Sequence, residues 1–237
     1  MQYAILILVA FIAAIISGSA GFGGALLILP LLVAVVGPQE AVPLLTVAQM
    51  IGNLSRAGFG FRQIDWKSVG AFLIGAIPCC VIGAISFLKV PGGIITRVIG
   101  VAVLVFAVLK FFKILKLKPS NRLLFTGGAI TGFISGLVGS AGTLGAAVFL
   151  SLGLPPVAYI ASEATTAVAM HATKTIIYGN SLTLDNQFWT LGLILGLAMI
   201  AGSWLANRLI RRLSQINFDR YVLVLLILLS IYLIVRG

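Results

Sequence analysis

Acidic residues are scarce in this sequence: five aspartates and glutamates stand against 16 lysines and arginines in 237 residues. Charged side chains make up 9% of the chain and hydrophobic ones 60%, which leaves too little polar surface to cover a soluble globule. A single histidine excludes an HExxH metal site, and no GxxxxGK[ST] phosphate loop is present, so the chain has no ATP-binding loop of its own. The two cysteines, Cys79 and Cys80, are adjacent within an apolar run. They exclude an ordinary disulfide framework and a four-ligand metal centre, and read as packing residues. Neither a metal nor a cofactor is expected. No paired aspartates fall within the apolar runs, which disfavours an intramembrane enzyme; a Ser–His dyad using His171 is the one catalytic arrangement left open. The N-terminus lacks the basic region of a signal peptide, so its apolar run is expected to stay as the first segment.

What the sequence has instead is length of apolar run. Mean hydropathy is +1.18, and ten apolar segments fall at 2–18, 23–36, 41–61, 67–88, 93–112, 122–137, 142–153, 156–178, 187–207 and 217–235. Lipid cannot satisfy free amides, so each segment is expected to be helical and the chain an all-α, polytopic integral membrane protein. Segments two and seven are short of the roughly 20 residues a spanning helix needs, and read as half-helices or arms of re-entrant hairpins. Pro38, Pro91, Pro119 and Pro155–Pro156 lie between segments, Pro43 is expected in the first turn of segment three, and Pro78 should kink segment four. The net charge of +11 would suit nucleic acid, but the basic residues sit in short loops between apolar runs. They encode orientation in a bilayer, and no nucleic-acid partner is expected.

Two glycine-rich stretches organise the chain. Ser17–Gly24 reads SGSAGFGG and Ser135–Gly142 reads SGLVGSAG; at an offset of 118, Ser17, Gly18, Gly21 and Gly24 fall on Ser135, Gly136, Gly139 and Gly142. Each stretch interrupts an apolar run, and glycine there permits the helix to break. Helix breaks in matching positions of two halves point to a transporter's substrate site, whereas plain small-residue helix packing is the structural alternative. The repeat extends further: Asn53 aligns with His171, Arg56 with Lys174, and Ile64-Asp65 resembles Leu184-Asp185. Two halves follow, 1–117 and 118–237. Five segments each make the number of crossings odd, so the halves are expected to be inverted. Connections on one side carry 12 of the 16 basic residues, Arg56, Arg62, Lys67, Lys110, Lys113, Lys116, Lys118, Arg122, Arg208, Arg211, Arg212 and Arg220; the other side has Lys89, Arg97, Lys174 and Arg236. By the positive-inside rule the basic side is cytoplasmic and both termini face outward. The stretch 110–122 is expected to anchor lipid headgroups.

Ionisable groups inside spans are functional candidates. On segment eight, Lys174 lies about 20° and His171 about 80° around the helix from Glu163; on segment three, Gln49, Asn53 and Arg56 cluster within about 60°. The two stripes are expected to face each other near the breaks. A half-helix starting at Gly21, Gly23 or Gly24, or at Gly139 or Gly142, offers free N–H groups and a positive dipole end to an anion. Gly18 and Gly136 belong to the same breaks. Ser17, Ser19, Ser135, Ser140 and Thr143 would add hydroxyls, and Arg56 or Lys174 net positive charge. Glu163 and His171 are the candidate proton carriers. Glu163 also has a plain reading as the ion-pair partner of Lys174, Arg56 and Lys174 as residues snorkelling to the interface, and His171 as a packing residue.

The glycine-rich break followed by a short run ending in LPLL, the segment after GPQEAV and Ile-Asp-Trp at 64–66 resemble the TauE/SafE family of sulfite exporters and related permeases. The resemblance covers essentially the whole chain. It implies a secondary transporter of sulfite, sulfonates or similar small anions; the basic loops place it in the cytoplasmic membrane, and Glu163 and His171 carry the expectation of proton coupling. A passive anion channel is the alternative within transport, and a homodimer is compatible with the sequence.

Overall fold

The computed structural model describes residues 2–20, 24–111, 118–182 and 184–209, with short helical pieces at 227–228, 231–232 and 234–235. Every regular element among these residues is helical. The helices are α1 (Gln2–Ala20), α2 (Gly24–Val36), α3 (Pro38–Phe59), α4 (Trp66–Lys89), α5 (Gly92–Phe111), α6 (Asn121–Val138), α7 (Gly142–Leu150), α8 (Pro156–Ser181) and α9 (Asn186–Leu209), with one 3-10 turn at Phe61–Gln63. Nine expected segments have their helix; the tenth, 217–235, lies largely outside the described residues. The expected position of Pro43 is corrected: α3 starts at Pro38, so Pro43 falls inside the helix and gives up a bond to the carbonyl of Gln39. α4 is one continuous helix through Pro78.

The repeated Asp after an aliphatic residue has a local cause. Asp65 accepts from the Ser68 amide at 3.3 Å and from its hydroxyl at 2.7 Å, and Asp185 accepts from the Phe188 amide at 2.7 Å. Both are N-caps that satisfy orphan donors at the starts of α4 and α9. Ser120 does the same for α6 through the Leu123 amide at 3.0 Å.

Polarity is arranged inside out. Ile74, Ile82, Phe125, Ile130, Leu193 and Leu197 are exposed, while Gln49, Asn53, Glu163, His171 and Lys174 are buried. In water that arrangement is unfavourable; in lipid the outward apolar side chains are solvated and the polar ones are sheltered. Trp66–Lys89 and Asn186–Ala206 are each long and apolar enough to cross a bilayer alone. α3 and α8 fall short of that test because they carry the polar residues.

The tightest packing is between α4 and α6. A Cβ at Gly128, Gly132 or Gly136 of α6 would strike the carbonyl oxygen of Phe72, Ala76 or Cys80, and one at Gly75 or Gly83 of α4 would strike that of Phe125 or Phe133. The partners ascend together in number, so the two helices run parallel with their backbones in contact. Small residues permit this approach, and in lipid such packing replaces the hydrophobic driving force. α1 packs likewise on α9, α3 on α8 and α9, α4 on α8, α2 on α1 and α3, and α7 on α6 and α8. Exchanging α1–α4 with α6–α9 maps this set of pairs onto itself, with α3–α8 its own image. α6 and α7 form an antiparallel hairpin, since Gly127 meets Val148 and Thr131 meets Gly145. α7 therefore returns toward the end from which α6 entered.

Gly132→Ala places a methyl against the Ala76 carbonyl and should lower stability by about 1–3 kcal/mol through overpacking. Gly179→Ala, with open space around it, should be neutral or slightly stabilising. Thermal unfolding of both purified variants in detergent checks the contrast.

Candidate functional site: the α6–α7 break and the polar face of α8

The second glycine-rich stretch breaks the helix over fewer residues than expected. Ser135 and Gly136 remain helical, and the gap is Gly139, Ser140 and Ala141. Gly139 adopts the left-handed conformation, φ 91° and ψ −27°, and its amide donates to the Ser135 carbonyl at 2.9 Å. Glycine is the residue that takes this shape without a Cβ penalty, which is how α6 stops. Gly136 is a packing residue, its backbone against Cys80 and Ala84, while its carbonyl accepts from the Tyr178 hydroxyl at 2.9 Å.

Lys174 closes the end of α6. Its Nζ donates to the Gly139 carbonyl at 2.7 Å, the Ser135 hydroxyl at 3.1 Å and the Ser135 carbonyl at 3.2 Å. The residue is 0% exposed, so it does not snorkel. A cation against carbonyls at a helix C-terminus is favoured by the dipole and satisfies oxygens that lipid cannot. The alternative reading of Glu163 as the ion-pair partner of Lys174 is not what forms. The two lie 11 positions apart on one helix face, about 16 Å along the axis, beyond the reach of the two side chains.

Glu163 pairs instead across the molecule. Its Oε2 accepts from Arg56 Nη2 at 3.1 Å. Arg56 Nη1 donates to Asn53 Oδ1 at 3.0 Å, and Asn53 Nδ2 donates to the Gln49 carbonyl at 2.9 Å and to its side-chain oxygen at 3.3 Å. The polar stripe of α3 is thus one hydrogen-bonded ladder that aims the guanidinium at α8. Beside it, the Asp65 amide donates to the Ser162 hydroxyl at 2.9 Å, fixing the α3–α4 connection to α8. The other carboxylate oxygen, Oε1, faces the start of α7: Cβ atoms built at Gly142 and Gly145 would lie 4.0 and 3.9 Å from it. The Cβ at Gly145 would also touch Thr131 at 3.6 Å and Phe72 at 3.9 Å. Ala141 gives α7 no side-chain cap, and the hydroxyls of Thr131 and Thr143 and His171 Nδ1 are buried without a hydrogen-bond partner.

The structure therefore brings Gly142, Thr143, Glu163 and Arg56, with Gln49 and Asn53 behind, to one place, and sets Ser135, Gly139 and Lys174 together at the end of α6. Ser140 and His171 are buried nearby along the same hairpin and helix face. In the first half, Ser17, Gly18 and Ser19 belong to α1 and Gly24 begins α2; the side chains of Ser17 and Ser19, and Gly21 and Gly23 altogether, lie outside the described residues. Thr131 was not singled out by the sequence.

Helices that turn apolar faces outward and shelter their polar residues, two of them long and apolar enough to cross a bilayer, are those of a membrane protein. The chain belongs to the sulfite exporter TauE/SafE family, whose match extends over residues 6–233. No curated protein and no solved structure matched the chain.

Replacing Lys174 by methionine takes the Lys174 donor from the buried Gly139 carbonyl and leaves the Ser135 carbonyl only the Gly139 amide, and should destabilise the fold by about 1–3 kcal/mol. Unfolding temperature in detergent, compared with Lys89→Met at an exposed site, reads the effect.

Proposed function

We propose that the chain is a secondary transporter that moves a small oxyanion of the sulfite or sulfonate kind across the cytoplasmic membrane, by alternating access and with proton coupling. One observation carries this reading: the uncapped start of α7 lies beside the Glu163 carboxylate that pairs with Arg56, and Thr131, whose buried hydroxyl has no partner, borders the same corner. Free amides at a helix start, hydroxyl donors and one guanidinium suit an anion. Mostly neutral donors with a single cation bind an oxyanion without trapping it. Family membership supports sulfite-type cargo. Ser17, Gly18, Ser19, Gly21, Gly23 and Gly24 are the proposed counterpart in the first half. Glu163 and His171 are the proposed proton carriers.

Two inverted halves, 1–117 and 118–237, are part of the proposal. The exchange of helix pairs between α1–α4 and α6–α9 supports it. So does charge: Arg62, Lys67, Lys118 and Arg122 are exposed at the end that holds the α3–α4 connection and the start of α6, whereas Glu40 and Asp185 are exposed at the other. The basic end is then cytoplasmic and both termini lie outside.

In proteoliposomes, sulfite flux should saturate and follow an imposed proton gradient. Gly142→Ala, at a position where a Cβ meets nothing nearer than Glu163 Oε1 at 4.0 Å, should keep the fold and lower that flux by about tenfold, equivalent to about 1.4 kcal/mol of lost binding. Unsaturable flux indifferent to the gradient would instead identify a passive channel.

A further inference from the structure

We infer that the Glu163 carboxylate is a built-in anion that occupies the cargo's place and must be neutralised by a proton before the cargo can sit there. The inference rests on the anion-transport reading above. Its basis is the direction in which the carboxylate's two oxygens face. Oε2 takes the Arg56 guanidinium at 3.1 Å, the cation a cargo anion would need. Oε1 lies toward the first turn of α7, about where a Cβ on Gly142 or Gly145 would meet it. That turn has no side-chain cap, and Thr131, 1% exposed with its hydroxyl unpartnered, borders the same corner. A tethered carboxylate thus sits between the one guanidinium and a helix start, in the manner of a bound oxyanion.

An incoming oxyanion competes with this internal one for the same donors. Two anions against one cation in a dry interior are electrostatically unfavourable, so admission of the cargo requires the carboxylate to become a neutral acid. The balance is simple. A cargo monoanion and one proton enter an ion-paired site, and the products are Arg56 paired with cargo and a protonated Glu163, with no net change of charge in the site. Around Glu163 the titratable and charged groups are Arg56 from α3 and Tyr159 one turn earlier on α8. α6 and α7 contribute Thr131 and glycine, α4 contributes Phe72, and the Asp65 carboxylate on the α3–α4 connection is turned to Ser68. Glu163 is therefore the group from which a proton dependence of binding would arise.

The test uses the full chain in detergent with two probes, sulfite and the permanently charged methanesulfonate. Wild type should take up about one proton from a lightly buffered, dye-monitored solution for each methanesulfonate bound, and its apparent affinity should fall as pH rises, by up to about tenfold per unit. Glu163→Gln, which keeps the shape and removes the competing charge, should bind about tenfold tighter with a flat pH profile, because the competent fraction of the site rises. Its flux should no longer be driven uphill by a proton gradient. Wild type that binds without proton uptake overturns the inference, and this readout needs no variant to fold. So does Glu163→Gln that binds more weakly, equally, or with the wild-type pH slope; in either case anion transport itself stands. Absence of saturable binding and flux for both probes overturns the transport reading and the inference together.

Discussion

A charge or a free carbonyl buried away from water must find its partner inside the protein, and this demand governs both ends of the break between α6 and α7. On the α6 side the exposed groups are carbonyl oxygens, and Lys174 supplies three hydrogens to Ser135 and Gly139. On the α7 side the exposed groups are amides, and the nearest charge is a carboxylate. Each terminus thus faces the sign that its dipole favours. A soluble protein would leave such ends to water; within a bundle whose outer faces are apolar, only side chains can answer.

The break can hold this shape because its surroundings are rigid. α6 is pressed backbone to backbone against α4 through Gly128, Gly132 and Gly136, so the C-terminal carbonyls of α6 have a fixed position against which Lys174 and Tyr178 can be aimed. The same glycines leave no side chain to absorb a displacement. α8 is fixed independently at its start, where Gly60 meets Val157 and Ala161 and the Asp65 amide bonds Ser162. Glu163 follows directly, so the carboxylate inherits its placement from the α3–α4 connection.

Helices and their approximate ends were legible in the amino-acid sequence because lipid permits little else, and the break was legible because Gly139 is needed for a left-handed stop. What periodicity could not supply was height along the axis. Glu163 and Lys174 share an angular face of α8, yet one serves the start of α7 and the other the end of α6. The partner of Glu163 came from α3, 107 residues away in sequence, and no local pattern encodes such a distance. Gly136 was legible as a glycine that matters, but its role depends on the proximity of Cys80 and Ala84, which only packing reveals. Thr131 was hidden for a related reason: a threonine in an apolar helix usually bonds its own backbone, and only the neighbouring Gly145 marks it as different.

Positions 56 and 174, 118 apart, hold different cations, and the chemistry of each suits its use. The Lys174 ammonium is compact and points three hydrogens at oxygens gathered around one helix end. Arg56 has a planar fork that must bond Asn53 and Glu163 at once, which an ammonium would do with poorer geometry. Exchanging the two would leave a fork inside a cup of carbonyls and a point charge on an extended ladder. The consequence is that the two cations serve different ends of the break: Lys174 bonds the end of α6, while Arg56 reaches from α3 to Glu163 on α8. Among the described residues the interior charge is therefore gathered at the two ends of one break rather than repeated in two equivalent places, and the one carboxylate there is that of Glu163.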